Sequence, residues 1–277
     1  MRAARSACRC FPSAPRSRWT RSLLSSLDGL FAPAPDPARV AWLKGVVYAH
    51  RGLHGPQAVE NSPSAFAAAI QAGLGIECDV QETADRQAVV FHDFGLDRLT
   101  GDTGAVAERT AGQLARIALR GSPDTIPSLR GVLEQVGGRV PLLIEIKAVR
   151  EREVAALCCT VRRDLVGYRG PCAVMSFDPR VGGWFRRNAP AVVRGLVIDE
   201  AQGGEGQRRC ALWQARPDFI AYSIRDLPSG FAAAQRARGL PMLTWTVSTP
   251  ALLERARQHA DGFIAEAEGV ASALVNT

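Results

Sequence analysis

Beyond residue 45 the chain repeats one pattern, in which short apolar runs bounded by Gly, Pro or a polar residue alternate with stretches of helical spacing. The strand-like runs cover 46–49, 75–80, 88–92, 140–147, 172–177, 192–198, 218–222, 241–247 and 262–265. Helical patterns lie between most of them. Pro63 to Ala72 is one, with Ser62 as its N-cap and Gly73 as its stop, and the segment from Ser128 to Val136 is another, closed by Gly137-Gly138. Strands that alternate with helices predict a parallel sheet.

The nine runs do not all fit one parallel sheet. The residues between Val80 and Ala88 are too few for a parallel crossover but enough for an antiparallel hairpin turning at Asp85-Arg86. Setting the returning strand aside leaves eight, and about 240 residues follow the N-terminal tail, the size of a closed (β/α)8 TIM barrel. A two-residue loop at Asp85-Arg86 would set His92 opposite Asp79. The stretch from Asp93 to Thr125 is long for one connection and has no strong strand signal, so it is expected to form a small inserted element over the barrel mouth.

Composition narrows the class. The 277 residues, 47% hydrophobic, suffice for one large core, and no apolar run reaches the roughly eighteen residues of a membrane span. Seven cysteines without a CxxC pair point to neither a disulfide framework nor a structural zinc, so a reducing, cytoplasmic setting is expected. The net charge of +7 would suit nucleic acid, but residues 1–40 hold seven arginines against Asp28 and Asp36. The remainder is close to neutral and lacks a basic stripe interleaved with aromatics, which argues against a nucleic-acid partner. The domain division expected is therefore a basic, disordered extension over 1–40, with a targeting segment as the second reading, and a barrel over 41–277. No heptad or exposed apolar helix demands an oligomer.

The candidate chemistry gathers between His50 and His92, a span that holds three of the four histidines. Glu77 and Asp79 share one face of a strand, since side chains alternate with a period of two, and two like charges on a buried face need a cation or a proton between them. Glu145 and Lys147 repeat the arrangement. Lys44 and Lys147 are the only lysines among thirty-four basic residues, and a flexible point charge at 147 suits a phosphate oxygen or an ion pair. His50, Glu77, Asp79, Glu145 and Lys147 all fall near strand ends, where barrel active sites are built. His54 is placed in a loop and His259 on a polar helix, outside the site.

These residues belong to a longer series: AHRG at 49–52, Glu60-Asn61-Ser62, Glu77-x-Asp79, His92-Asp93, Asp97-Arg98-Leu99-Thr100, Glu145-Ile146-Lys147 and Thr244-Trp245-Thr246-Val247. In that order the series resembles the glycerophosphodiester phosphodiesterases, from about residue 46 to 250. The resemblance implies a (β/α)8 barrel whose acids at Glu77, Asp79 and Glu145 bind a divalent metal, Mg²⁺ or Ca²⁺. It implies His50 and His92 as an acid/base pair, with His50 the favoured base and His92 the favoured acid. Arg51 and Lys147 would hold phosphate oxygens, and Glu60 and Trp245 would join them around a small-molecule glycerophosphodiester. Two other readings stand beside it: phospholipase D-like action on lysophospholipids, and a non-catalytic barrel that binds a phosphodiester or a partner. The chain departs from the family pattern at Asp85-Arg86, at Ser248, and in the closing run Phe263-Ile264-Ala265-Glu266.

Overall fold

A computed structural model describes residues 26–148 and 154–275. Its nine-stranded sheet contains all nine expected strands: β1 (Val47–Ala49), β2 (Gly75–Glu82), β3 (Ala88–Val90), β4 (Leu142–Ile146), β5 (Cys172–Ser176), β6 (Val193–Ile198), β7 (Phe219–Ser223), β8 (Met242–Val247) and β9 (Gly262–Ala265). All but β3 are parallel and close into a (β/α)8 barrel, because β1 pairs with both β9 and β2. The wall helices are α1 (Pro63–Gln71), α2 (Leu129–Val136), α3 (Ala155–Leu165), α4 (Pro179–Asn188), α5 (Glu205–Ala215), α6 (Gly230–Ala237), α7 (Pro250–His259) and α8 (Ala267–Val275). Ser62 and Ser128 cap α1 and α2 by accepting from the N–H groups of Ala65 and Gly131, as their positions predict.

Period-two alternation divides the core into layers. Ile76, Cys78, Val80, Leu142, Ile144 and Ile146 face outward into the strand–helix layer, whereas Tyr48, Leu143, Met175, Phe219, Leu243 and Ile264 fill the barrel interior. Val40 and Leu43 join the interior layer. They arrive from a one-turn helix (Pro37–Val40) and a 3-10 turn (Ala41–Leu43) that close the end where the strands begin.

Residues 26–40, expected as part of the extension, pack on the barrel. Asp28 is fully buried, paired with Arg209, and accepts hydrogen bonds from Trp213 Nε1 and Gln235 Nε2, both at 2.9 Å. A buried carboxylate needs such partners, and α5 and α6 supply them. The rest of that extension, residues 1–25, lies outside the described residues. No helix among the described residues is long and apolar enough to cross a membrane.

The β2–β3 hairpin corrects the expected register by one residue. Val80 lies opposite Val90 and Glu82 opposite Ala88, so Asp79 faces Phe91, whose N–H donates to the Asp79 carbonyl at 3.0 Å. The turn is the cause. Thr83 and Gln87 close a three-residue loop in which Arg86 takes the left-handed conformation (φ 55°). A one-residue shift exchanges the two faces, and Val89 and Phe91 accordingly point into the inserted element. There they join Leu96, Val106, Leu114, Ile117, Leu119 and Ile126 in a core of the insertion's own.

Candidate active site

Parallel pairing sets Asp79 of β2 beside Glu145 of β4, with Glu77 one step nearer the interior core. All three carboxylates are buried, and one ligand oxygen from each lies within 4.8 Å of the others. Crowding has the expected electrostatic result. Burial pushes the Glu77 carboxyl well above its ordinary pKa, and Asp79 and Glu145 add to the push. Glu145 is likewise raised, by burial first and then by Asp79, against the pull of Lys147.

Two cations answer this charge. Lys147 Nζ lies 3.1 Å from Glu145 Oε1 and 3.4 Å from Asp79 Oδ1. Burial works against its charged form, but Glu145 and Asp79 outweigh it and the net shift is upward. Arg51 follows β1 in a turn that needs two consecutive left-handed residues, Arg51 at φ 55° and Gly52 at φ 80°. At 52 only glycine fits, because a Cβ would lie 2.9 Å from the Ala65 backbone carbon. The turn aims the Arg51 N–H at Glu77 Oε2 (3.1 Å), Nε towards Asp79 Oδ2 (3.3 Å) and Nη1 at Glu60 Oε1 (2.7 Å). Asn61, buried and also left-handed, fixes Asp79 from the other side. Its amide donates to Asp79 Oδ2 at 2.9 Å and its carbonyl accepts the Asp79 N–H at 3.2 Å.

The histidines flank the cluster, each with a carboxylate on Nδ1. His50 Nδ1 sits 2.7 Å from Glu266 Oε2, which turns Nε2 towards Glu77 at 4.0 Å. His92 Nδ1 sits 2.6 Å from Asp93 Oδ1. Burial lowers the His92 pKa; Lys147 and Arg51 lower it further, against the pull of Asp79. His92 does not face Asp79 across a strand pair. It reaches the site from a bend held by Gln81, whose side-chain amide donates to the carbonyls of Phe91 (2.8 Å) and Asp93 (2.7 Å).

The structure thus brings together Glu77, Asp79, Glu145, Arg51, Lys147 and Glu60, with His50 and His92 at the edges. Trp245 makes no hydrogen bond or ion pair to these residues in the described structure. Its Nε1 donates to the Ala221 carbonyl at 3.1 Å and its ring meets Phe177 edge-on at 5.3 Å, roofing the interior core. Residues the sequence analysis left out of the site also enter it. Arg98 of the insertion grips both Glu60 (2.7 and 3.0 Å) and Asp93 (3.0 Å at Nη2), tying the Arg51 side to the His92 side. These contacts hold Asp93 at a pKa of about 2, and with Arg51 they overcome burial to hold Glu60 at about 2. Asn61, Asp93 and Arg98 lie in the motif series. For Glu266 the one available signal was its place at the end of a barrel strand.

Comparison with known families and structures agrees with this fold. Residues 50–270 match the model of the Glycerophosphoryl diester phosphodiesterase family. YhdW of Bacillus subtilis is 28% identical over 216 residues, 73% of this chain and 86% of that protein. Glycerophosphodiester phosphodiesterase 1 of Bos taurus is 26% identical over 259 residues, 79% and 78% of the two chains. Among solved structures, an Oleispira antarctica phosphodiesterase in complex with its product sn-glycerol-3-phosphate shares the fold, with a TM-score of 0.75 at 21% identity over 84% of this chain and 98% of that one. The family match spans the barrel from the first site histidine into α8, and the chain belongs to the glycerophosphoryl diester phosphodiesterase family of enzymes.

Proposed function

We propose that this chain hydrolyses glycerophosphodiesters, with glycerophosphocholine as the first substrate to test, to glycerol 3-phosphate and an alcohol. The observation that carries the reading is the pairing of a buried three-carboxylate cluster with two carboxylate-held imidazoles on its rim. The family generally depends on a divalent metal, and Glu77, Asp79 and Glu145 suit one. Three hard oxygen donors match Mg²⁺ or Ca²⁺, and the upward shifts of Glu77 and Glu145 mark excess negative charge that a dication would relieve. Such an ion supplies charge neutralisation at the phosphoryl oxygens.

The chain's own groups supply the rest. Arg51 and Lys147, both at strand ends, balance the phosphodiester anion. His50, its ring fixed by Glu266, takes the proton of the nucleophile, either water or the substrate's glycerol 2-hydroxyl; in the second case the alcohol leaves with formation of a cyclic phosphate, which water then opens to glycerol 3-phosphate. As the phosphorus–oxygen bond to the alcohol breaks, His92 gives its proton to the departing oxygen. The low resting pKa of His92 fits this order of events, because an anion bound at Lys147 and Arg51 cancels two of the influences that lower it.

Phe94 favours a second substrate class. It is 52% exposed and directly follows Asp93, the residue that holds His92, so it offers an acyl chain an apolar surface beside the site. The test is glycerol 3-phosphate release from glycerophosphocholine by EDTA-stripped protein with Mg²⁺ or Ca²⁺ restored, alongside Glu77→Ala and His50→Ala. Metal-restored activity that both variants lose supports the proposal. Activity confined to lysophosphatidylcholine would move the substrate to lysolipids, and inactivity on both with every metal would leave a binding barrel.

A further inference from the structure

Beside the carboxylate cluster lies a second group of ligand atoms with different chemistry. His50, His54 and Glu266 each present one donor within 4.8 Å of the other two. They converge because β1 and β9 are neighbours, Ala49 pairing with Ala265, so the residues that follow each strand emerge side by side. The Arg51-Gly52 turn then folds the loop back, the His54 N–H donating to the Gly52 carbonyl at 2.9 Å.

We propose that His50, His54 and Glu266 form a transition-metal site, for Zn²⁺ or an ion of its class, whose occupation silences the enzyme by taking His50 out of the reaction.

Three observations carry it. His54 Nε2 is buried yet has no hydrogen-bond partner, and it stands 3.8 Å from Glu266 Oε2, too far for a hydrogen bond. A buried nitrogen aimed at a carboxylate without bonding to it suits an ion between the two. Second, donors bound tetrahedrally to Zn²⁺ at about 2.0–2.2 Å lie about 3.4 Å apart. The present spacings, 2.7 Å from Glu266 to His50 Nδ1 and 3.8 Å to His54 Nε2, bracket that value, so small side-chain rotations suffice. Third, two imidazoles and one carboxylate favour Zn²⁺, Co²⁺ or Ni²⁺ over Mg²⁺ and Ca²⁺, the reverse of the three-carboxylate cluster. Glu266 would supply the anionic donor of the set, beside the two imidazoles. The chain would then carry two adjacent sites of opposite metal preference.

The silencing half rests on His50 being the base of the proposed reaction; the binding half does not. The test titrates Co²⁺, a visible-absorbing stand-in for Zn²⁺, into the Mg²⁺-saturated full-length protein, its His54→Ala variant and its His54→Gln variant, which keeps a polar side chain in the loop. The wild type should show tetrahedral-type absorption that saturates at one ion, and both variants should bind at least tenfold more weakly. In glycerophosphodiester assays the variants should keep the Zn²⁺-free rate and need at least tenfold more Zn²⁺ for half-inhibition. Identical Co²⁺ binding in all three proteins overturns the site, and Zn²⁺ inhibition that ignores His54 overturns the silencing. Co²⁺ binding that depends on His54, in a protein inactive on every glycerophosphodiester, would uphold the site while removing the functional reading.

Discussion

The two histidines carry the same device, a carboxylate on Nδ1, and obtain it by opposite routes. His92 takes its partner from the next residue, Asp93, on an insertion bound to the barrel rim by Arg98, which is 47% exposed at its side chain. His50 takes its partner from Glu266, 216 positions away, across the seam where β9 meets β1. The barrel wall positions the His50–Glu266 pair. The His92–Asp93 pair depends on a hairpin bend and a solvent-facing ion network, and should yield to weaker perturbation.

Removing either imaging point of this symmetry, the rings themselves, should have the largest effect. His50→Ala and His92→Ala should each lower kcat by about 10²–10⁴-fold, the span of a single general acid or base. A loss for only one of them would leave a single proton-transfer residue. The next step removes the partners. Glu266→Gln and Asp93→Asn should each lower kcat/KM by roughly 10–100-fold, the range for groups that orient a site's primary residues. Arg98→Ala should reproduce the Asp93 effect and leave the Glu266 side intact. Equal sensitivity of both sides to Arg98 would erase the distinction.

The pH profiles sharpen the comparison further. A proton donor works only when protonated, so with His92 in that role kcat/KM should fall as pH rises through its lowered free-protein pKa, below about 6.5. Anionic substrate raises that pKa, and the fall in kcat should come at higher pH. Coincident falls would take the donor's role from His92. The smallest effect concerns stability. Glu60 and Asp93 have folded pKa values of about 2, below their unfolded values near 4, so their pairing with Arg98 stabilises the fold above the unfolded pKa and is lost as pH falls towards 2. Thermal melts of Glu60→Gln should lie a little below wild type at pH 6 and converge with it near pH 2, since half-exposed pairs contribute little.

Much of the site was legible because its parts are local. Glu77 with Asp79 and Glu145 with Lys147 are two apart on strands, and a period of two is enough to put each pair on one face. Eight strands and the caps at Ser62 and Ser128 follow from the same short-range rules. The hairpin register was not legible, because a left-handed Arg86 lengthens the loop by one residue and arginine carries no turn signal. Trp245 was expected at the substrate wall, with a barrel-core role as the alternative; its ring roofs the interior core at the end of β8, and that packing was not legible in the strand pattern.

The sequence by itself determined which residues of the eight parallel strands face inward and which charges must share a buried face, since these depend on periodicity and on the cost of burying charge. Tertiary structure alone decided that Glu266 would hold His50, that Asp28 would anchor the N-terminal segment on α5 and α6, and that Arg98 would join the two sides of the site. Each joins elements far apart along the chain or across a long insertion, and barrel closure, which brings the last strand beside the first, has no local signature in either one.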